Sequence, residues 1–419
     1  MPEQRDPEQR ACPRGYLAQR REAAACGCIS ASLVIPMAMG SGVIVAEELE
    51  PGIRYIEEQS RTDRGVPVRD CFLVADSKDE PISTLDLRAF EQRFGAVSIP
   101  MEGIGGVETQ PMFRRHGWMS KLLARALTRA AERVNVAGIG NAIPGIYEKH
   151  GFMNCVVDRE LLVDVASVAA LGAPCASELR TPRALAESDI PGIIALYNEV
   201  HADRPWTHRR ARNWNRFVPQ KTWHPGSEAI VIEYAGRVAA YAIFIRPLYG
   251  HRKPELRVDE MAAHDRASAS ALISAIAGLS AQGHQGQFSV AEPLDCVVGR
   301  TLKDLGCTLR ETHYSSGGMM ARILHVKPLL QILEPELRRR CRGLVPDSHH
   351  EAAFEALMAG TLGVGSETLL PLLVGHLSLA DLKSRGLSVS RFEDVLHLWF
   401  SGGASQRLPT AHAHRLDRY

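Results

Sequence analysis

Between Glu102 and Ala130 the chain changes its period, and few folds accommodate that change in so short a span. Glu102 to Thr109, built around Gly103-Ile-Gly-Gly-Val107, reads as a strand that ends before Pro111. Glycines in that approach suit a backbone that something else comes close to. Met119, Leu122, Leu123, Ala126, Leu127 and Ala130 then fall at i, i+3, i+4, i+7, i+8 and i+11, which is one face of a helix. Lys121, Arg125, Arg129 and Arg133 recur every four residues on another face, which reads as solvated. Val136 to Ile139 returns as a short strand.

The loop at this junction runs Val107-Glu-Thr-Gln-Pro-Met-Phe-Arg-Arg-His-Gly-Trp-Met119. The first N–H groups of a helix lack internal partners, and the helix dipole adds partial positive charge beside them. Such a place is a ready anion site. Gly117 permits close backbone approach or a positive φ, and Arg114 with Arg115 can neutralise a diphosphate. From the residues alone, an ordinary capped helix carrying two surface arginines is the alternative.

The rest of the chain falls into units. Upstream, Cys71 to Ala75, Ser83 to Phe90 and Ala96 to Ile99 read as strands. Downstream, Tyr147-Glu-Lys-His-Gly-Phe152 reads as a short helix stopped by Gly151, and Glu160 to Val165 alternates. Ala166 to Arg180 is a plausible linker. A second unit then shows a helix with Ile190, Ile193, Ile194 and Tyr197 on one face. A hairpin turns at Ala235-Gly236-Arg237, and Leu256 to Met261 is a strand. Ser268 to Leu279 is a helix, Phe288 to Ala291 a strand, and Cys296 to Leu305 a helix ended by Gly306. Both units run strand, helix, strand, short helix, Gly, the layout of a degenerate tandem duplication. After Met320, Leu329 to Arg342, Glu351 to Met358, Leu369 to Val374 and Phe392 to Phe400 have mostly helical spacing. Ser401 to Tyr419 reads as a tail.

Composition narrows the function classes. Among 419 residues the formal net charge is +1, with no sustained basic stripe, which argues against nucleic acid. Nine scattered cysteines form no CxxC pair, so neither a disulfide framework nor a zinc site is indicated, and a reducing cytosol fits best. His349-His350 and His412-x-His414 lack the companion ligands of a metal site. No run approaches the ~20 apolar residues of a membrane span. Ile29 to Met39 is apolar but short and lacks the flanks of a signal peptide. It reads as part of a floppy extension, or as lying near a later start at Met37 or Met39. Trp206, Trp214 and Trp223 gather near Arg204, Arg209, Arg210 and Arg212. Buried packing or a subunit contact is the expectation there, with a substrate mouth as the alternative.

Arg114-Arg115-His116-Gly117-Trp118-Met119 resembles the pyrophosphate loop of the GNAT acetyltransferase superfamily, Arg/Gln-x-x-Gly-x-Gly/Ala, with Met119 departing at the last position. Together with Gly105-Gly106-Val107, Pro111 and Gly145-Ile-Tyr-Glu-Lys-His-Gly-Phe152, it looks like the first domain of the Eis-like (enhanced intracellular survival) group, which tolerates a large apolar residue there. The resemblance implies an α/β (α+β) chain of tandem GNAT folds, mixed central sheets flanked by helices, with a small, mainly helical C-terminal domain. The expected divisions are an N-terminal extension at 1–45, a GNAT domain with the acetyl-CoA site at 46–166, a degenerate GNAT-like domain at 178–322, and a short sterol-carrier-like domain with tail at 323–419.

It implies residue roles as well. Val107 and Thr109 would offer backbone groups to the pantetheine arm and acetyl carbonyl, and Arg114, Arg115, His116, Gly117, Trp118 and Met119 would cradle the pyrophosphate. Tyr147 would be the general acid toward the leaving thiolate. The α-carboxylate of Tyr419 would be the base, with Glu108 and Glu102 as alternatives. The second unit, reading Met261-Ala-Ala-His-Asp-Arg-Ala267 at the matching loop, should bind no cofactor. The expected protein is a cytoplasmic N-acetyltransferase, a homo-oligomer, using acetyl-CoA and no metal. It would act on a small-molecule amine or a lysine side chain, without nucleic-acid or membrane partners. A catalytically inactive CoA-binding or sensing protein, or a structural assembly subunit, are the alternatives.

Overall fold

The computed structural model describes residues 42–61, 67–78, 80–169, 181–210, 227–246, 256–313, 317–384, 386, 390–400 and 412. Strands β1 (Gly42–Glu50), β2 (Ile53–Arg61), β3 (Pro67–Asp76), β4 (Pro81–Phe94) and β5 (Val97–Thr109) form an antiparallel run. Helix α1 (Trp118–Ala131) then crosses to β6 (Val136–Ala142), which lies parallel to β5. Short β7 (Met153–Asn154) and then β8 (Asp158–Asp164) and α2 (Val165–Val168) close the first half. The second half runs β9 (Arg183–Ala184), α3 (Ile190–Val200), β10 (Ser227–Tyr234), β11 (Arg237–Ile245), β12 (Leu256–Ala263), α4 (Arg266–Gln282), β13 (Gln287–Val290), α5 (Val297–Asp304), β14 (Thr308–Thr312) and β15 (Gly318–Ile323). Five helices follow: α6 (Val326–Cys341), α7 (Asp347–Met358), α8 (Ser366–Leu373), α9 (Leu379–Ser384) and α10 (Glu393–Phe400).

Two mixed sheets result, in the orders β1-β2-β3-β4-β5-β6-β15-β7 and β14-β8-β13-β12-β11-β10-β9. The strands do not sort by half. β8, from the first half, pairs with β13 and β14 of the second sheet, and β15, from the second half, pairs with β6 and β7 of the first. The divisions at 166 and at 178–322 cut across this exchange.

Alternation along the strands decides what covers each face of the first sheet. Leu85, Leu87, Ile104, Ala137 and Ile139 turn to α1 and meet its buried stripe of Leu122, Leu123, Ala126 and Leu127. Phe94, Met101, Val136 and Ala321 turn the other way, onto Leu329, Leu333, Leu337 and Trp399 of the C-terminal helices. The third segment therefore shares its core with the first sheet. It contributes no strand of its own among the described residues. The second sheet is covered by α2, α4 and α5 on one face and by α3 on the other.

The basic face of α1 is ion-paired while staying partly exposed, from 51% of the side chain at Lys121 to 29% at Arg133. Lys121 pairs with Glu50 (3.6 Å), Arg125 with Glu47, Arg129 with Glu57 (3.3 Å), and Arg133 with Asp70 (2.6 Å) and Glu102 (2.8 Å). All but one of those carboxylates come from β1, β2 and β3, so the fourfold spacing fastens the helix to the N-terminal strands. The Arg125 guanidinium also lies 4.1 Å from the Tyr55 ring centre.

The arginine and tryptophan cluster is largely a junction. Trp206 is buried in the core shared with the C-terminal helices. The segment 204–210 runs beside the end of β4, with Trp206 N donating to Arg93 O (2.9 Å) and Arg93 N to Thr207 O (2.8 Å). Arg210 grips Glu260 in a bidentate pair (2.7 and 2.6 Å) with neither side chain exposed, and Tyr241 Oη donates to the same carboxylate at 2.6 Å. His412, from the C-terminal stretch, is buried, and its backbone N–H donates to Pro205 O at 3.1 Å. Trp214, Trp223 and Arg212 lie outside the described residues.

Candidate functional site

The site begins where two parallel strands part. β5 and β6 pair from Met101–Val136 to Ile104–Ile139 and no further. Beyond that point β5 stays with β4, reaching Ser83–Thr109, while β6 stays with β15, reaching Gly318–Ala142. The β4–β5 register slips between Thr84/Asp86 and Glu108/Gly105, a bulge at Gly106 and Val107. Gly106 has φ +58°, and a Cβ there would meet Asp86 Oδ1 at 2.5 Å, so glycine is required.

The loop after β5 builds the second wall. Pro111–Phe113 is a single 3-10 turn, Arg115 has φ +69°, and Gly117 has φ +81° as the cap of α1. No side chain caps that helix and its first turn holds no acid, so its leading N–H groups face outward with the dipole unopposed. A Cβ on Gly117 would meet nothing within 4 Å, so the space over the helix start is open. Arg114 Nε donates to Thr109 O at 3.2 Å, which ties the loop to the strand end.

A cleft of about 510 Å³ connects the wedge to this loop. Val107, Thr109, Arg114, Arg115, Gly117, Trp118, Met119 and Tyr147 all line it, so the residues singled out in the sequence converge. His116 sits on the same loop, exposed and outside the lining. Glu108 also lines the cleft. Glu102 does not. It lies buried under Arg133 at the far end of α1, and burial raises its carboxyl's pKa against the pull of that arginine. Tyr419 lies outside the described residues. Phe113, Ile143 and Ile146 complete an apolar lip that the sequence reading missed. Ile143 is 59% exposed, an apolar side chain held at the surface beside the cleft.

Tyr147 precedes a 3-10 turn at Glu148–His150 that Gly151 ends with φ +75°. Its ring is buried, 6.2 Å from Phe152 in an edge-on contact. Burial alone pushes the phenol up to about 12, so the hydroxyl keeps its proton throughout the neutral range.

The second half repeats the framework and closes it. β12 and β13 pair in parallel only from Leu256–Phe288 to Val258–Val290. Six residues past each last pair the strands still agree, with Gln110 N donating to Ile82 O (2.9 Å) and His264 N to Ala239 O (3.0 Å). Pro111 to Gly117 then precede α1, whereas Asp265 alone precedes α4. The Asp265 side chain accepts from Ser268 N at 2.8 Å, which places a carboxylate where the first half leaves open donors. Glu292 Oε1 accepts from Met261 N at 3.0 Å, across the wedge.

The two histidine pairs are structural where described. His350 accepts from Trp399 Nε1 at 3.3 Å, and His349 lies 3.2 Å from Asp394. Among the described residues no group of three or more potential metal ligands occurs, and no helix is long and apolar enough to cross a membrane.

Residues 47–155 match the acetyltransferase (GNAT) domain family, so the wedge and its loop belong to a GNAT acetyltransferase domain. Among solved structures, a GCN5-related N-acetyltransferase from Kribbella flavida is similar at 16% identity and a TM-score of 0.55, over 82% of this chain and 86% of that one. Another GCN5-related N-acetyltransferase, from Anabaena variabilis, is similar at 17% identity and a TM-score of 0.50, over 62% of this chain. A probable N-acyltransferase from Enterococcus faecalis has 17% identity and a TM-score of 0.48, over 62% of this chain. The chain spans 64% of the length of each of the latter two. The likeness to the Kribbella flavida structure shows the fold: mixed sheets flanked by helices. A search of curated proteins found no match.

Proposed function

We propose that this protein is an acetyl-CoA-dependent N-acetyltransferase of Eis-like type that transfers an acetyl group directly to a primary amine. The observation that carries the reading is the uncapped start of α1, open above Gly117 and flanked by Arg114 and Arg115, at the mouth of a wedge that ends at Tyr147. The thioester supplies the activated acyl group. The chain's own residues do the rest. The helix start and two guanidiniums hold the pyrophosphate, and the N–H groups of Val107 and Thr109 receive the acyl oxygen and the adjoining amide. An amine attacks only when neutral, so its proton passes to a base. As the new C–N bond forms and the C–S bond breaks, the departing sulfur takes the Tyr147 proton. The α-carboxylate of Tyr419 or the Glu108 carboxylate serves as the base. A cytoplasmic homo-oligomer acting on a small amine or a lysine side chain, with residues 323–419 as a sterol-carrier-like domain, is part of the same reading.

Release of free thiol from acetyl-CoA across an amine panel tests the reaction. Arg114→Ala with Arg115→Ala should weaken CoA binding by roughly 10- to 100-fold in calorimetry, the worth of one or two charge-assisted hydrogen bonds. An unchanged affinity would remove the loop from the site. Removal of Arg418 and Tyr419 should abolish turnover if the tail is the base. Unaltered turnover assigns the role to Glu108. CoA binding without turnover on any amine would instead mark a sensor.

A further inference from the structure

Two hydroxyls on β4 hold the last peptide units of β5. Thr84 Oγ1 donates to Gly106 O at 3.1 Å, and Ser83 Oγ donates to Glu108 O at 3.1 Å. With the Ser83 proton committed there, the Thr109 hydroxyl donates to Ser83 Oγ across 2.9 Å. A trans peptide unit points its C=O and N–H in opposite directions. The carbonyl of Gly106, held toward β4, therefore turns the N–H of Val107 away from β4. The carbonyl of Glu108 does the same for the N–H of Thr109. Away from β4 is the wedge, because pairing with β6 has already stopped at Ile104. At Gly106 and Val107 the bulge gives the Thr84 brace its purpose, since residues that have slipped off a regular ladder lose the hydrogen bonds that would otherwise fix their peptide planes.

The second half shows what such an N–H takes. Met261 stands three residues past Val258, as Val107 stands three past Ile104, each counted from the last parallel pair. The N–H of Met261 crosses its wedge to a carboxyl oxygen of Glu292 at 3.0 Å. An sp² oxygen at hydrogen-bond distance is thus the partner this register position accepts when it is filled.

We propose that Thr84 and Ser83 are positioning residues, which aim the N–H groups of Val107 and Thr109 at the acyl oxygen and the neighbouring amide of the CoA arm. This rests on the acetyltransferase reading. Thr84→Val keeps the shape and removes the donor, Ser83→Ala removes the second brace, and Thr84→Ser restores the first. The readouts are CoA affinity by calorimetry, kcat and KM with an amine that the wild type acetylates, and the carbonyl stretch of bound ¹³C-acetyl-CoA by isotope-edited infrared spectroscopy. Thr84→Val should lower kcat about tenfold or more, a part of what loss of an oxyanion donor costs. The carbonyl stretch should move to higher wavenumber, CoA affinity should stay within about twofold, and Thr84→Ser should recover both kcat and the stretch. If Thr84→Val does not fold, Thr84→Ala removes the same donor and gives the same comparison. Folded variants with unchanged kcat and unchanged stretch, beside an active wild type, overturn the proposal and leave the enzyme standing. A wild type that neither binds CoA nor releases thiol overturns the enzyme and the proposal together.

Discussion

Tyr147 carries the sharpest residue-scale expectation. Its phenol, raised to about 12 by burial, remains protonated at any working pH, so it can donate but cannot serve as a base. Tyr147→Phe should lower kcat by roughly 10²-fold, the low end for a general acid, with little change in KM for acetyl-CoA. The rise of kcat with pH should track the acceptor amine and keep its shape in the variant. A pH profile that changes form would give the tyrosine another role. At this scale much of the site was legible. The loop from Arg114 to Met119 and the Tyr147 segment are local, and local sequence holds their chemistry. Glu102 was misread as a candidate base because its partner, Arg133, lies a whole helix away, and nothing near Glu102 announces the pair. Thr84 and Ser83 carried no sign at all, since a hydroxyl in a strand usually means only β propensity.

Helix α1 shows why an element can be placed correctly while its partners go unseen. Its apolar stripe predicted its span and buried face. Its basic stripe suggested water, because the strands that pair with it, β1 and β2, carry no clear alternation and were absent from the sequence reading. At the far end of the helix, Arg133 pairs with Asp70 of β3 and Glu102 of β5, whose side chains are 1% and 5% exposed. Arg133→Ala should therefore cost about 3 kcal/mol in denaturant unfolding, because it takes the nearest cation from two buried carboxylates and leaves Asp70 only Arg129 at 3.9 Å. The sign with pH follows from Glu102, whose carboxyl burial already holds above its usual range. Protonation relieves the variant, so the loss should shrink as pH falls from 7 toward 5. A loss that is independent of pH would mean packing, not charge, is what Arg133 supplies.

For the molecule as a whole, mixed sheets flanked by helices and a helical end were legible, because the alternation of strand and helix runs through the sequence. What pairs with what was not legible, since the partners of β8 and β15 lie across the chain and each strand would read the same in either sheet. The buried wedge of the second half gives a test at this scale. Glu292 is wholly buried, and burial raises its carboxyl's pKa well above 4.5. Above pH 4.5 the folded chain thus keeps a proton that the unfolded chain has released, and stability declines as pH rises. Glu292→Gln retains an oxygen for Met261 N–H and removes the titration. As pH rises above 4.5 the variant's unfolding free energy should gain on the wild type's, by at most about 1.4 kcal/mol per pH unit, as read from denaturant curves. Parallel curves would show that Glu292 stays ionised in place.

The crossing of β8 and β15 gives each half custody of a strand the other needs. Cut between residues 170 and 180, the polypeptide would leave one fragment with an unclaimed β8 and a first sheet open beside β6, and a second fragment with the converse. Bare edges of that kind invite aggregation. Either piece expressed alone should therefore be insoluble, whereas the two produced together should find each other and rebuild the intact protein.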